Sequence, residues 1–315
     1  MIPDIDSEQK KVLPIVEYPE IPSQIIEAYN KKRLVIFIGA GVSRLVGCKG
    51  WDELARDLIE KCYNTQNEIN ESLINFNIKS KLSNISDHRK TITICKKLLE
   101  KVGKVDAFFE VLEKALDVND ESGKSNLIYE NLFSLQAKYV TTNADNKFSR
   151  LFEEINVTRD PRLINNREMR ERELLHIHGS FMEPKTLVFD LPSYFEKYSN
   201  LEFKNTLKKI FSGNTVLFLG YGMTELEILE FLLEKSIGKS IEPLYLLSGY
   251  YSSELDYFRL EQTYYDSMNI KVIPYRLDSI GYEQLGIVIS EWVQQMRYNS
   301  TFLSDSIELI SREVI

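Results

Sequence analysis

The chain has 315 residues, 43% hydrophobic and 27% charged, with a formal net charge of −8. Such a composition suits a soluble globular protein with a real core, either one large α/β domain or two ordinary ones. It argues against direct binding of nucleic acid, because a sequence-independent grip on DNA or RNA needs concentrated Lys and Arg, and here the bases are scattered among more numerous acids.

The three cysteines, Cys48, Cys62 and Cys95, form no C-x-x-C pair and no Cys/His cluster. Neither a zinc site nor a disulfide framework is therefore indicated, which fits a reducing compartment. The N-terminus lacks the apolar core of a signal peptide, and no apolar run approaches the roughly 20 residues needed to span a bilayer. The expectation is a soluble, cytoplasmic protein without metal and without a membrane contact.

In chain order, residues 1–22 carry Pro3, Pro14, Pro19 and Pro22 and read as an irregular leader. Ser23 is placed to cap a helix over 24–32, with Ile25, Ile26 and Tyr29 on its apolar side. Residues 34–38, LVIFI, are the continuous apolar run of a parallel strand covered on both faces. Trp51, Leu54, Leu58, Ile59 and Cys62 then recur at helical spacing. From about 64 to 119 the sequence turns Asn-rich and then helical without a strand signal, and reads as a helical insertion. Strand signals return at 137–143, 173–179, 215–220, 243–249 and 270–276, separated by helical stretches such as 203–211 and 226–234. This alternation predicts a Rossmann-like, doubly wound, mainly parallel sheet over 23–298 with an inserted helical subdomain. Residues 299–315 are polar and read equally as a terminal helix or a linker.

Several strand ends pass abruptly from apolar to small or polar residues. In an open parallel sheet, ligands bind outside the carboxyl ends of the strands at a topological switch point. The first such end is Gly39-Ala40-Gly41-Val42-Ser43. Glycine there removes side chains that would block a phosphate, and Ser43 adds a hydroxyl. A dinucleotide fingerprint would continue with glycine at 44, where Arg44 stands instead. A tight strand-to-helix turn without a ligand is the lesser alternative reading of the glycines. The second end, Thr141-Thr142-Asn143-Ala144-Asp145, can hold sugar hydroxyls or a water, or can form an Asx turn. His176 and His178 alternate along the next strand and so project from one face. His178, before Gly179, is the better candidate for proton transfer or ribose recognition. Gly220-Tyr221-Gly222 repeats the logic of the opening turn.

Together and in this order, GAGVS (39–43), TTNAD (141–145), HGS (178–180) and GYG (220–222) resemble the sirtuin-like domain, and in particular the NAD-consuming effectors of bacterial anti-phage defence, Thoeris-like systems among them. The resemblance covers roughly residues 23–292. It implies that Gly39, Ala40, Gly41 and Ser43 line the dinucleotide phosphates, with Trp51 and Thr142 among the NAD contacts. It places Asn143 and Asp145 by the nicotinamide ribose, gives His178 the role of general base, and turns Gly220, Tyr221 and Gly222 toward the adenosine half. Two departures separate the chain from sirtuin deacylases: it lacks their zinc ribbon and their Gly-Ile-Pro-Asp-Phe-Arg stretch. A third is Ala144, where the defence-type branch usually has tyrosine.

The implied activity is hydrolysis of NAD at the nicotinamide–ribose bond, with NAD as substrate. Its toxicity would demand restraint through homo-oligomerisation, closure of the helical insertion, or a regulatory or phage-derived trigger. The alternatives are a noncatalytic sensor of NAD or ADP-ribose, and a protein deacylase or ADP-ribosyltransferase.

Overall fold

Leu34–Ile38 form the central strand β1, and all five residues are buried. Successive side chains of a strand point to opposite faces. Leu34, Ile36 and Ile38 accordingly enter one core, and Val35 and Phe37 enter another. In the computed structural model, which describes residues 15–117, 126–160, 164, 167–223 and 244–313 and side chains as far as residue 299, six further strands join β1. They are β2 (Lys138–Thr141), β3 (Val157–Thr158), β4 (Leu174–His176), β5 (Thr215–Leu219), β6 (Leu244–Tyr250) and β7 (Ile270–Arg276). All neighbours pair parallel, in the order β3-β4-β2-β1-β5-β6-β7. The doubly wound parallel sheet is thus present. Its one unexpected strand, β3, is two residues long and too short to leave a pattern.

The helices are α1 (Ser23–Asn30), α2 (Ala40–Leu45), α3 (Trp51–Asn64), α4 (Phe76–Ser83), α5 (His88–Lys101), α6 (Asp106–Leu116), α7 (Leu127–Phe133), α8 (Leu191–Ser199), α9 (Leu201–Phe211), α10 (Leu255–Asp266) and α11 (Gln284–Glu313). One sheet face is covered by α1, α7 and α11, the other by α9 and α10. A third core joins α3, α4, α5 and α6. As packed, the helical block therefore starts at Trp51 rather than at residue 64. Ser23 does not cap α1: Pro22 holds the N-cap position, and no side chain caps that end. The expected helix at 226–234 and residues 1–14 of the leader lie outside the described residues. Beyond residue 298 the backbone continues as helix to Glu313.

The described part of the leader is fastened down. Val16 pairs with Tyr275 of β7 in an isolated parallel bridge, and the Arg276 amide donates to the Val16 carbonyl over 2.9 Å. Trp292 of α11 donates its indole N–H to the Pro19 carbonyl at 2.7 Å. At the outer side of the sheet, β7 also contains Pro274, which has no amide hydrogen to offer.

Because β1 lies between β2 and β5, the turns leaving β1 and β5 meet at the carboxyl edge. They meet backbone to backbone. The Gly39 amide donates to the Leu219 carbonyl at 2.9 Å, and the Gly41 amide to the Gly220 carbonyl at 2.8 Å. A Cβ on Gly39 would stand 2.6 Å from the Gly220 carbonyl oxygen, and one on Gly41 2.8 Å from the same atom. Gly220 has φ +56, and a Cβ there would be 2.5 Å from the Val42 nitrogen. The glycines are thus required by each other, whatever ligand lies above them.

Main-chain atoms cannot swing aside as a side chain does, so Gly39→Ala should destabilise the fold by about 1–3 kcal/mol, read from denaturant midpoints. The control Gly286→Ala, in open space in α11, should be neutral or slightly stabilising.

Candidate active site

A cleft of about 1070 Å³ runs along the carboxyl edge of the sheet, at the upper end of the size range of small-molecule sites. Ala40, Gly41, Ser43, Trp51, Thr142, Asn143, Asp145, Gly220, Tyr221 and Gly222, all expected at an NAD site, line it, whereas Gly39 and His178 do not. Gly39 lies just behind the lining, against Tyr221. Tyr221 itself packs its ring against Phe37 and Phe218, at 5.3 Å and 5.6 Å between centroids, so it anchors the turn as much as it faces the cleft.

The floor is a hydrogen-bonded unit centred on Ser43. Its hydroxyl donates to Asp145 Oδ2 at 2.6 Å. With that one proton committed, Ser43 Oγ accepts from the Tyr129 hydroxyl at 3.0 Å and from Asn143 Nδ2 at 2.7 Å. The same Asn143 nitrogen also donates to the Gly39 carbonyl at 2.9 Å. Both amide hydrogens of Asn143 are spent, which fixes its orientation and leaves Oδ1 to accept from a ligand hydroxyl or water. Asp145 also accepts from the Lys147 amide at 3.0 Å, an Asx turn. Burial pushes its carboxyl above the ordinary carboxylate range, against the pull of the Ser43 and Lys147 hydrogen bonds. The Asx turn in TTNAD is therefore present, made by Asp145, while Asn143 lines the cleft.

The two histidines do not share a face. β4 ends at His176 and the chain turns, so their rings serve different neighbours. His176 donates Nδ1–H to the Asn143 carbonyl at 2.9 Å, supporting the asparagine from behind. His178 is buried away from the cleft lining, with Nε2 2.8 Å from the Tyr198 hydroxyl and its ring edge-on to Tyr194. Both tyrosines belong to α8. Burial lowers the His176 imidazole to about 4 and the His178 imidazole to about 3, with Lys197 and Arg89 adding to the latter.

Three contributions to the cleft were not drawn from the sequence: Phe189, Arg44 and His88. Phe189 pairs with the expected Trp51, ring centroids 4.9 Å apart, in an aromatic wall beside the small Ala144. Arg44, 57% exposed and only 3.9 Å from Glu53 as its salt partner, stands next to the glycine turn. His88, at the start of α5, lines the cleft as well. Tyr129 and Phe189 arrive from elements far along the chain, so no local spacing could mark them. The far end, beyond β5, is lined by Ser248, Tyr282 and Glu283.

Among the described residues, no group of three or more His, Cys, Asp or Glu is placed to hold a metal ion, and none of their helices is long and apolar enough to cross a membrane.

Both buried histidines are neutral in the fold, whereas the unfolded chain protonates them near pH 6.5. Their contribution to stability is complete above that pH and is lost as the pH falls through about 4 and about 3. Melting temperature should decline with acidification across this window, and His176→Gln should flatten the decline.

With the cleft's geometry in hand, one comparison bears on its identity. Residues 137–273, from just before β2 into β7, match the family model of the SIR2-like domain. That stretch contains the Asn143, His178 and Gly220 strand ends, while the Gly39–Ser43 turn lies outside it and is brought alongside by β1. SIR2-like domains are NAD-dependent enzymes in general, and it is to this NAD-linked domain that the chain is similar across the greater part of its sheet.

Proposed function

We propose that the cleft binds NAD as substrate and that the protein hydrolyses its nicotinamide–ribose bond, giving nicotinamide and ADP-ribose. The observation that carries this reading is the Asn143 carboxamide, locked through its amide nitrogen to Ser43 and the Gly39 carbonyl, in the lining of a cleft of about 1070 Å³.

In this reading the diphosphate passes over the Ala40–Gly41 and Gly220–Gly222 turns. The Gly41 amide is already taken by Gly220, so the turns supply a smooth backbone surface and Arg44 supplies the positive charge. The adenosine half lies toward Ser248 and Glu283. The cationic nicotinamide ring rests near the Trp51–Phe189 wall, where aromatic faces attract a cation. Nicotinamide leaves as a neutral molecule and needs no acid to protonate it. What the site must do is orient the ribose, exclude bulk water and admit one water to C1′. Asn143 Oδ1 holds that water or a ribose hydroxyl. The buried Asp145 charge offsets the positive charge that develops on the sugar, and Ser43 and Tyr129 keep both groups in place.

Motif order and the departures from deacylases support a setting in bacterial anti-phage defence, with homo-oligomerisation or a phage-derived trigger as the restraint. The burial of His178 under Tyr198 favours one second reading, a sensor that binds NAD or ADP-ribose without turnover.

Purified protein incubated with NAD should release nicotinamide and ADP-ribose, separable by chromatography. Asn143→Ala should lower the rate on the order of 10²-fold or more while the protein still folds, with a melting temperature lowered by the two lost buried hydrogen bonds. If the wild type binds NAD but releases nothing, the sensor reading replaces the enzyme; if it binds no NAD, both fail. Asp145→Asn should divide activity from stability. Cleavage should fall, while stability at neutral pH should rise, because ionising a buried carboxyl whose pKa is raised costs the fold stability as the pH climbs above the ordinary carboxylate range.

A further inference from the structure

Proton transfer from the attacking water calls for a base within reach of the ligand, and the histidine in the cleft is not the one that the HGS motif offers. The protein has three histidines. His176 and His178 are 1% exposed, engaged by the Asn143 carbonyl and the Tyr198 hydroxyl. His88 alone among them lines the cleft, and it is partly exposed.

Its position is fixed by a series of contacts along α5. Asp87 caps the helix, its Oδ1 accepting from the Lys90 amide at 3.1 Å. The Arg89 guanidinium lies over the Tyr194 ring, 4.4 Å from its centre. The Thr93 hydroxyl accepts from the Leu191 amide at 3.1 Å. Lys96 forms an ion pair with Asp190, whose side chain is only 5% exposed. One turn after His88, Ile92 shares a core with Ala144, Trp51 and Phe189. These contacts hold the start of α5 at the Asn143 half of the cleft, rather than at the Ser248 half.

We infer that His88 is a catalytic residue of the NAD-cleaving reaction, contributed by the helical block to a ligand that the sheet holds. The inference rests on the NAD reading above. In the step assigned to it, the water oxygen bonds to C1′ of the ribose. The C1′–N bond breaks, its electron pair leaves with nicotinamide, and the water proton passes to the His88 imidazole, which later returns it to solvent. The sum is NAD plus water giving ADP-ribose, nicotinamide and one proton. His178 could take this part only after α8 had withdrawn Tyr194 and Tyr198, whereas His88 needs no such movement.

The test reads contact and chemistry separately. With only three histidines, the ring carbon–hydrogen NMR spectrum of the ¹³C-labelled protein has few signals, and His88→Ala identifies the one that matters. Titration with ADP-ribose, followed in parallel by calorimetry, should move the His88 signal and leave that of His176 in place. At saturating NAD, His88→Ala should release nicotinamide about 10²–10⁴-fold more slowly at unchanged NAD affinity, and added imidazole should restore part of the rate. Calorimetric binding with a stationary His88 signal, or a His88→Ala variant as fast as wild type, overturns the inference and leaves the NAD reading standing. Binding of neither NAD nor ADP-ribose overturns both.

Discussion

Everything at the carboxyl edge depends on how closely two turns approach. Gly39–Gly41 and Gly220 touch through their main chains, and the hydrogen bonds from Gly39 to Leu219 and from Gly41 to Gly220 carry the β1–β5 pairing one step past the end of the strands. That contact sets the position of the Gly39 carbonyl, which receives the Asn143 amide. It also sets where α2 begins, and hence where Ser43 stands between Asn143, Asp145 and Tyr129. The chemistry of the floor is thus built on a steric requirement two layers beneath it.

Such a site carries its own energetic tension. Asp145 is a carboxyl in an apolar, water-poor setting, stabilised by two short-range donors yet still pushed toward protonation by burial. Burying a charge is costly unless hydrogen bonds and neighbouring charges offset it. A cationic ligand would supply the missing offset, so the site is better balanced with such a ligand bound than without one. The same economy appears in Tyr129, a fully buried hydroxyl whose ionisation burial strongly disfavours and which therefore acts as a dependable donor to Ser43.

Much of this was legible in the sequence. LVIFI and TVLFL read as strands because a strand buried on both faces has no polar position to interrupt it, and IKVIPYR was delimited correctly by its flanking turn residues. The strand ends were legible for the same reason: the change from apolar to small and polar residues coincides with the end of burial. The surroundings of each end were not. The adjacency of Gly39 and Gly220 is a product of topology, so the sequence shows that glycine is needed without showing what it must clear. His178 reads as an exposed strand-end base until α8, some twenty residues on, lays Tyr194 and Tyr198 over it. His88 sits in an Asn-rich segment whose local pattern says only helix, and its place at the cleft comes from the packing of α5 on α8 and on the loop before it.

The two margins of the sheet have a consequence for how copies of the protein can meet. An unpaired strand margin is a template on which another chain can add a strand, and proteins blunt it with short strands, proline, lysine or a covering segment. Here β3 offers two residues. On the opposite side β7 carries Lys271 and Pro274, and Val16 already occupies the Tyr275–Arg276 end. Continuous strand addition is discouraged at both sides. Among the described residues, the margins of the sheet therefore disfavour contact between copies through strand addition, which would lead to open-ended aggregation.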